Sequence, residues 1–169
     1  ASGTENNALQ QGFVGSRLEQ FASGGTTVFD VAYNDDGLTV ALAQGGTENG
    51  VQVVDSSLRT PVCALDSGPA RAVAFSPGSA QLAAGLDDGR LLLITRTPNG
   101  CRITMEVPAA HEGEVTDVAY SPRGEWLVTS GRDGAIKIWS PDGQLLMTLT
   151  AGAPVEAVAE HALRGDPAQ

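Results

Sequence analysis

The chain has 169 residues, of which 10 are Lys or Arg and 20 are Asp or Glu, so its formal net charge is −10. This charge, with no basic cluster, argues against a protein that binds nucleic acid through phosphate contacts. Only 41% of the residues are hydrophobic and they form no long apolar run, which argues against a membrane span, while 21 Gly and 9 Pro favour strands and turns over helices.

Turn-rich spacing divides the chain into three similar units, preceded by a polar arm at residues 1–12 and a strand predicted at residues 14–21. Each unit is predicted to hold four short strands. The predicted strands are 28–33, 38–43, 51–54 and 61–65, then one from 71 onward, 81–84, 91–94 and 101–107, and finally 115–120, 126–130, 136–139 and 144–149. Four antiparallel strands joined by tight turns make one twisted sheet, which must stack against other protein to bury its faces.

An internal repeat supports this division. VAYND (31–35), VAFSP (73–77) and VAYSP (118–122) begin 42 and then 45 residues apart by subtraction. The predicted divisions are an arm with an outer strand at 1–22, units at 23–65, 66–107 and 108–150, and a partial strand with a polar tail at 151–169. Within the last of these, residues 153–159 are predicted to begin a following unit.

Four polar or aromatic residues interrupt the apolar pattern of the third unit: His111, Thr129, Asp133 and Trp139. With these residues the chain resembles the WD-repeat β-propeller family, whose repeats are about 40–45 residues long. The residue after the Trp is Ser140, a departure from the family's Trp-Asp pair. The resemblance implies an all-β fold of four-stranded antiparallel blades, here about three of them in an incomplete or open propeller. It also implies that the four residues form a structural hydrogen-bond network inside the third blade.

The first two units depart from the family pattern. At the positions that match the network, the second unit carries Asp66, Ala84, Asp88 and Ile94. The first unit has lost nearly all of the pattern, with Val54 at the Trp position. The resemblance therefore covers residues 28–149 and is most complete in the third unit.

A catalytic interpretation uses the same part of the chain. His111, Asp133 and Ser130 supply the side chains of a hydrolase triad. However, no glycine-flanked nucleophile turn surrounds Ser130, and a buried network explains Thr129 and Trp139 as well. The sequence therefore favours a non-enzymatic role, with a hydrolase using His111 and Asp133 as the alternative, and it predicts no cofactor and no metal site.

The resemblance implies a protein-protein interaction or scaffold module that is a subunit or segment of a larger assembly. Its partners would be other protein chains, of the same or a different kind, that complete or cover the blades. The resemblance also implies that the residue before each turn Asp faces the entrance surface of the propeller, which nominates Arg132 and Asp87 as partner-binding residues, with Glu112 and Glu114 nearby. A purely structural segment of a longer propeller is a further alternative.

Three smaller expectations complete the sequence analysis. Cys63 and Cys101 lie near predicted outer strands and are interpreted as small apolar side chains, because their spacing indicates neither a disulfide framework nor a metal site. Trp126 is predicted to be buried between blades. The cytoplasm is the favoured location, with a periplasmic or secreted mature chain as the alternative.

Overall fold

The computed structural model describes residues 26–46, 50–57, 60–78 and 80–158, and this part of the chain contains twelve strands and no helix. The strands of the first unit are β1 (Thr27–Tyr33), β2 (Thr39–Gly45), β3 (Val51–Asp55) and β4 (Thr60–Leu65). Those of the second are β5 (Ala70–Phe75), β6 (Gln81–Leu86), β7 (Leu91–Thr97) and β8 (Gly100–Val107), and those of the third are β9 (Val115–Tyr120), β10 (Leu127–Gly131), β11 (Ala135–Trp139) and β12 (Leu145–Thr150). The strand predicted at residues 14–21 lies outside the described residues.

The twelve strands form three separate four-stranded antiparallel sheets, each with its strands in sequence order. We call them blade 1 (β1–β4), blade 2 (β5–β8) and blade 3 (β9–β12). Tight turns join the strands, and Gly37 and Gly124 adopt positive φ angles of 69° and 70° in matching turns between the first and second strands. The all-β prediction of stacked four-stranded blades is therefore confirmed.

The blades stack in sequence order through their first strands, because β5 contacts both β1 and β9. We call the face that a blade turns toward the next blade in sequence its forward face. One buried apolar cluster joins the forward face of blade 1, including Ala41 and Val53, to Val73 and Ile94 of blade 2. A second cluster joins the forward face of blade 2, including Leu93, to blade 3. The seam between blades 1 and 2 and the seam between blades 2 and 3 thus contain most of the buried apolar side chains, and a third, smaller cluster of Val28, Val40, Leu42 and Val54 lies within blade 1.

Strand register makes positions in the three blades directly comparable. In blade 1, Ala41 lies opposite Val53, which lies opposite Cys63. The matching rows are Ala83, Leu93 and Met105 in blade 2, and Val128, Ile138 and Met147 in blade 3. All three rows lie on forward faces, so Cys63, Met105 and Met147 occupy one equivalent position on the outermost strands.

The interpretation of the cysteines is wrong. Cys63 on β4 and Cys101 on β8 form a disulfide, with their Cα atoms 5.7 Å apart, a separation typical of disulfides. The two residues are 38 positions apart in sequence and meet only because the outer strands of blades 1 and 2 lie side by side. Spacing within the chain does not reveal that proximity.

The prediction for Trp126 is also wrong, because its side chain is 44% exposed. The residue precedes β10 and belongs to the turn after β9. Its amide donates to Ser121 Oγ at 3.0 Å, and its carbonyl accepts from the Ser121 amide at 2.9 Å. These bonds hold Trp126 in the turn, one residue short of the strand that enters the seam.

Residues 151–158 follow blade 3 and lie against it. The Val155 amide donates to the Gly131 carbonyl at 3.3 Å, Thr116 Oγ1 donates to the Val155 carbonyl, and the Val158 amide donates to Asp117 Oδ2 at 2.7 Å. The structure assigns no strand to residues 154–158, which departs from the strand predicted at 153–159. These residues are nevertheless bonded to the forward side of blade 3.

Candidate functional site

Blade 3 brings His111, Thr129, Asp133 and Trp139 together in one hydrogen-bonded chain. His111 precedes β9, Thr129 lies on β10, Asp133 lies in the following turn and Trp139 ends β11. His111 Nδ1 lies 3.0 Å from Asp133 Oδ1, and His111 Nε2 lies 2.7 Å from Thr129 Oγ1. Trp139 Nε1 donates to Thr129 Oγ1 at 2.9 Å. We call these four residues the polar chain.

Electrostatics select one protonation state for the polar chain. Burial lowers the pKa of His111, against the opposing attraction of Asp133. Burial also opposes ionisation of Asp133, but hydrogen bonds from His111 and from the amides of Ala135 and Glu112 outweigh it and keep the pKa of Asp133 below its ordinary value. A neutral His111 then donates from Nδ1 to the Asp133 carboxylate and accepts the Thr129 hydroxyl proton at Nε2. Thr129 in turn accepts from Trp139, so every donor has an acceptor.

The side chains of His111 and Asp133 lie very close to the β10 backbone at Gly131. A Cβ atom on Gly131 would lie 2.4 Å from His111 Nδ1 and 2.8 Å from Asp133 Oδ1. Any larger residue would therefore displace the imidazole or the carboxylate. Gly131 was not singled out from the sequence, and its position between Thr129 and Asp133 is the signal that could have found it.

The three side chains of the hydrolase alternative are not brought together. Ser130 is buried on the face of β10 opposite to Thr129, and its Oγ lies 2.9 Å from Thr116 Oγ1. The hydroxyl on His111 Nε2 is instead that of Thr129, which is fully buried and already accepts from Trp139. Asp133, His111 and Thr129 therefore do form a carboxylate–imidazole–hydroxyl series, but in this conformation a substrate cannot reach the Thr129 hydroxyl.

A second polar cluster lies near the turns between the second and third strands. Arg71 Nε lies 2.8 Å from Asp87 Oδ1 and 3.0 Å from Glu114 Oε1, and Arg132 Nε lies 2.7 Å from Glu114 Oε2. The Arg71 guanidinium also lies 4.0 Å from the centroid of the Phe29 ring, a cation–π contact. We call Arg71, Asp87, Glu114 and Arg132 the charged rim. With Phe29 it connects all three blades.

The charged rim contains three of the four residues nominated from the sequence, Asp87, Glu114 and Arg132. For Glu112, the structure shows an exposed residue whose amide donates to Asp133 Oδ2 at 3.0 Å. Arg71 was missed, although it stands two residues before the repeated motif, at the place of Phe29 in the first copy. Arg132 is the most exposed rim side chain at 59%, whereas Glu114 is only 15% exposed.

Among the described residues no group of three or more His, Cys, Asp or Glu side chains is arranged to hold a metal ion. No helix in the described ranges is long and apolar enough to cross a membrane.

Comparison with known proteins places these features in a family context. The family described as WD domain, G-beta repeat matches residues 101–140, which contain the whole polar chain. The chain is 40% identical over 82 residues to the WD repeat-containing protein slr1409 of Synechocystis sp., covering 48% of this chain and 24% of that protein. It is 31% identical over 103 residues to Protein HIR1 of Candida albicans, covering 51% of this chain and 11% of that protein.

A third relative is the Target of rapamycin complex subunit LST8 of Saccharomyces cerevisiae, 35% identical over 57 residues, covering 33% of this chain and 19% of that protein. The chain thus spans a quarter or less of the length of these curated relatives.

Proposed function

Because this chain belongs to the WD-repeat family, we propose that it is a non-catalytic protein-interaction module that works as part of a larger assembly. The name of the LST8 relative describes a subunit of a complex, which agrees with such a role. The burial of the Thr129 hydroxyl supports a structural rather than a catalytic use of His111 and Asp133.

The observation that carries the proposal is the open forward face of blade 3. Leu93 on the forward face of blade 2 is fully buried against blade 3, whereas its equivalent Ile138 is only partly buried. Beyond it on β12, Met147 and Leu149 are 51% and 50% exposed. The equivalent third-strand positions Val53 and Leu93 are fully buried, so a partly buried Ile138 beside exposed side chains is typical of a face left open for other protein.

The segment after blade 3 supports the same interpretation. In blade 1, Asp30 Oδ2 accepts the Val73 amide of blade 2 at 2.9 Å. In blade 3, Asp117 Oδ2 accepts the Val158 amide at 2.7 Å. The Val158 amide therefore takes the same position beside blade 3 that the Val73 amide, on the first strand of blade 2, takes beside blade 1. The open face of blade 3 begins beside the position where a following blade would start.

The charged rim supplies a second surface for contact. The Arg132 side chain is more than half exposed and forms an ion pair with Glu114. The Asp87 carboxylate is 43% exposed and forms an ion pair with Arg71. Polar side chains fixed by mutual ion pairs are preorganised, which lowers the entropy cost of binding. We propose that partner proteins contact this rim through Arg132 and Asp87, with Glu112 beside them.

Light scattering and chain dilution test the module proposal. We expect the 169-residue chain alone to associate in a concentration-dependent way, because removing its exposed apolar face from water is favourable. The double substitution Met147→Lys and Leu149→Lys should weaken this association. Leu146→Lys is the matched control. Leu146 is equally exposed on β12, but it lies at a β-bulge, whereas Met147 and Leu149 lie opposite Ile138 and Ile136. A dilution-stable monomer with cooperative unfolding would contradict the proposal.

A screen for hydrolase activity tests the catalytic alternative independently. We expect no ester, amide or phosphate hydrolysis above the level of the His111→Gln variant, because the Thr129 hydroxyl is buried. Activity that disappears in His111→Gln while the variant stays folded would favour the hydrolase.

A further inference from the structure

We propose that the Cys63–Cys101 disulfide is a native covalent staple between blades 1 and 2, and that this chain works in a compartment that keeps thiols oxidised. Neither statement depends on the interaction proposal. Both rest on where the two cysteines lie in the stacked blades.

The disulfide joins the two outermost strands of the first seam. Cys63 lies opposite Val53, on the forward face of blade 1, and both cysteines pack against the buried cluster that joins blades 1 and 2. The rest of β4 is exposed or only partly buried, and so is β8. The outer edge of this seam therefore has little apolar burial of its own, and the covalent bond supplies what packing does not.

The equivalent position in the other blades shows what the staple replaces. Met105 of blade 2 occupies the place of Cys63, and its Cγ lies close to Gly143 of blade 3, 3.0 Å from where a Cβ on that glycine would stand. Met147 of blade 3 occupies the same place and is half exposed. One position on the forward face thus carries a covalent bond in blade 1, a partly exposed methionine beside Gly143 in blade 2, and an exposed methionine in blade 3.

The chemistry of the staple indicates the compartment. When the bond forms, the Cys63 and Cys101 thiols lose two protons and two electrons, and a small-molecule or protein disulfide accepts them and leaves as two thiols. Such oxidants prevail in the periplasm, the endoplasmic reticulum and extracellular fluids, whereas cytosolic thiols reverse the reaction. Both cysteines are only partly buried, so a reductant can reach them. A structural disulfide in this position therefore favours the periplasmic or secreted alternative over the cytoplasmic one.

Thiol counting tests whether the staple forms. The chain is produced in the cytosol and, behind an export signal, in the periplasm of the same bacterial host. Each sample is denatured in maleimide, and the mass increase counts free thiols. We expect no labelled cysteine in the exported chain and two after prior reduction, while the cytosolic chain should carry two. Free thiols in a folded, exported chain would overturn the proposal.

Hydrogen exchange tests whether the staple holds the seam. Reduction should raise exchange in β4 and β8 by roughly 30-fold or more, the equilibrium equivalent of the lower end of typical disulfide stabilisation. Exchange in β10 and β11 should change far less, because the polar chain holds them. The Cys63→Ser/Cys101→Ser variant should match the reduced chain, and the reduced wild-type chain serves as the measurement if this variant does not fold. Equal exchange in oxidised and reduced chains would show that the bond is not a staple.

Discussion

Each of the two seams of this molecule contains a buried apolar cluster, but the seams are held in different ways. In the first seam, between blades 1 and 2, the Cys63–Cys101 disulfide joins the outer edge and Asp30 accepts the Val73 amide at the inner edge. The positions that correspond to Thr129 and Trp139 are the apolar Ala84 and Ile94, both fully buried. This seam therefore combines an apolar middle with two fixed edges.

In the second seam, between blades 2 and 3, the specific contacts are hydrogen bonds and an ion pair. The polar chain lies on the blade 3 side of this seam, and its Trp139 side chain packs in the apolar cluster between the two blades. Tyr120 Oη donates to Gln81 Oε1 at 2.8 Å, and Arg71 reaches Glu114 across the same boundary. A blade that has lost the family's polar residues can thus remain stacked, because a covalent bond and a half-buried carboxylate hold its edges instead.

Breaking the disulfide should have the largest effect on this comparison. The bond closes a loop of 38 residues, and the loop-entropy relation gives about 4 kcal/mol of stabilisation for that length. We therefore expect reduction to lower the free energy of unfolding by an amount of this order, measured by urea denaturation with and without reductant. A reduced chain that is as stable as the oxidised one would mean that the first seam is held by its apolar core alone.

Removing the Asp133 carboxylate should have the next largest effect. Asp133→Ala leaves the His111 Nδ1 proton and two amides without their acceptor, and hydrogen bonds to a charged group are worth about 1.5–3 kcal/mol. We expect a loss of stability of that size in the oxidised chain. Asp36→Ala is the control, since Asp36 accepts one amide in an exposed turn and should cost under about 0.5 kcal/mol. Equal, small losses for the two variants would remove the case for a structural network.

Much of the fold could be predicted because it is local. The repeated VAY and VAF motifs and the glycine-containing turns determine strands and hairpins within each unit, and the structure has all twelve of the predicted strands in the described units. The positions of Thr129 and Trp139 follow from strand register. The structural role of the polar chain stays a prediction until Asp133→Ala is measured.

Most of the missed features depend on contacts between units or on a one-residue boundary, whereas the close contacts of Gly131 lie within blade 3. Cys63 meets Cys101, and Arg71 meets both Phe29 and Glu114, only when blades are stacked. No pattern within one repeat encodes those distances. Trp126 was misplaced because β10 begins one residue later, at Leu127, and a shift of that size moves a side chain out of a packed strand.

Acid should affect Asp133 and Asp117 in opposite directions. The pKa of Asp133 is lowered, so its stabilisation is complete above the pKa of the unfolded chain, near 3.8, and is lost as the pH falls through the folded value. The pKa of Asp117 is raised because burial disfavours its charged form, against the Val158 and Val118 amides and with a smaller contribution from the charge of Asp30. Its contribution is complete below 3.8 and is lost as the pH rises through the folded value.

Two asparagine variants separate these effects. Unfolding is measured from about pH 3 to 7, the range in which native carboxylates titrate. The stability advantage of the wild type over Asp133→Asn should grow with pH, and its advantage over Asp117→Asn should shrink. Parallel pH profiles for the two variants would show that the carboxylates experience the same environment, contrary to their contacts in the structure.

The charged rim should contribute least to stability, and its contribution should belong to the second seam. Glu114→Gln removes the ion pair with Arg71 across that seam and the pair with Arg132 within blade 3. Asp87→Asn removes only a pair with Arg71 inside blade 2. Because water and salt partly screen ion pairs near the surface, and Glu114 makes two such pairs where Asp87 makes one, we expect a loss of about 0.5–1 kcal/mol for Glu114→Gln and less for Asp87→Asn. Raising the salt concentration should reduce both losses. A loss for Asp87→Asn that matches or exceeds that for Glu114→Gln would show that the rim stabilises single blades and not their stacking.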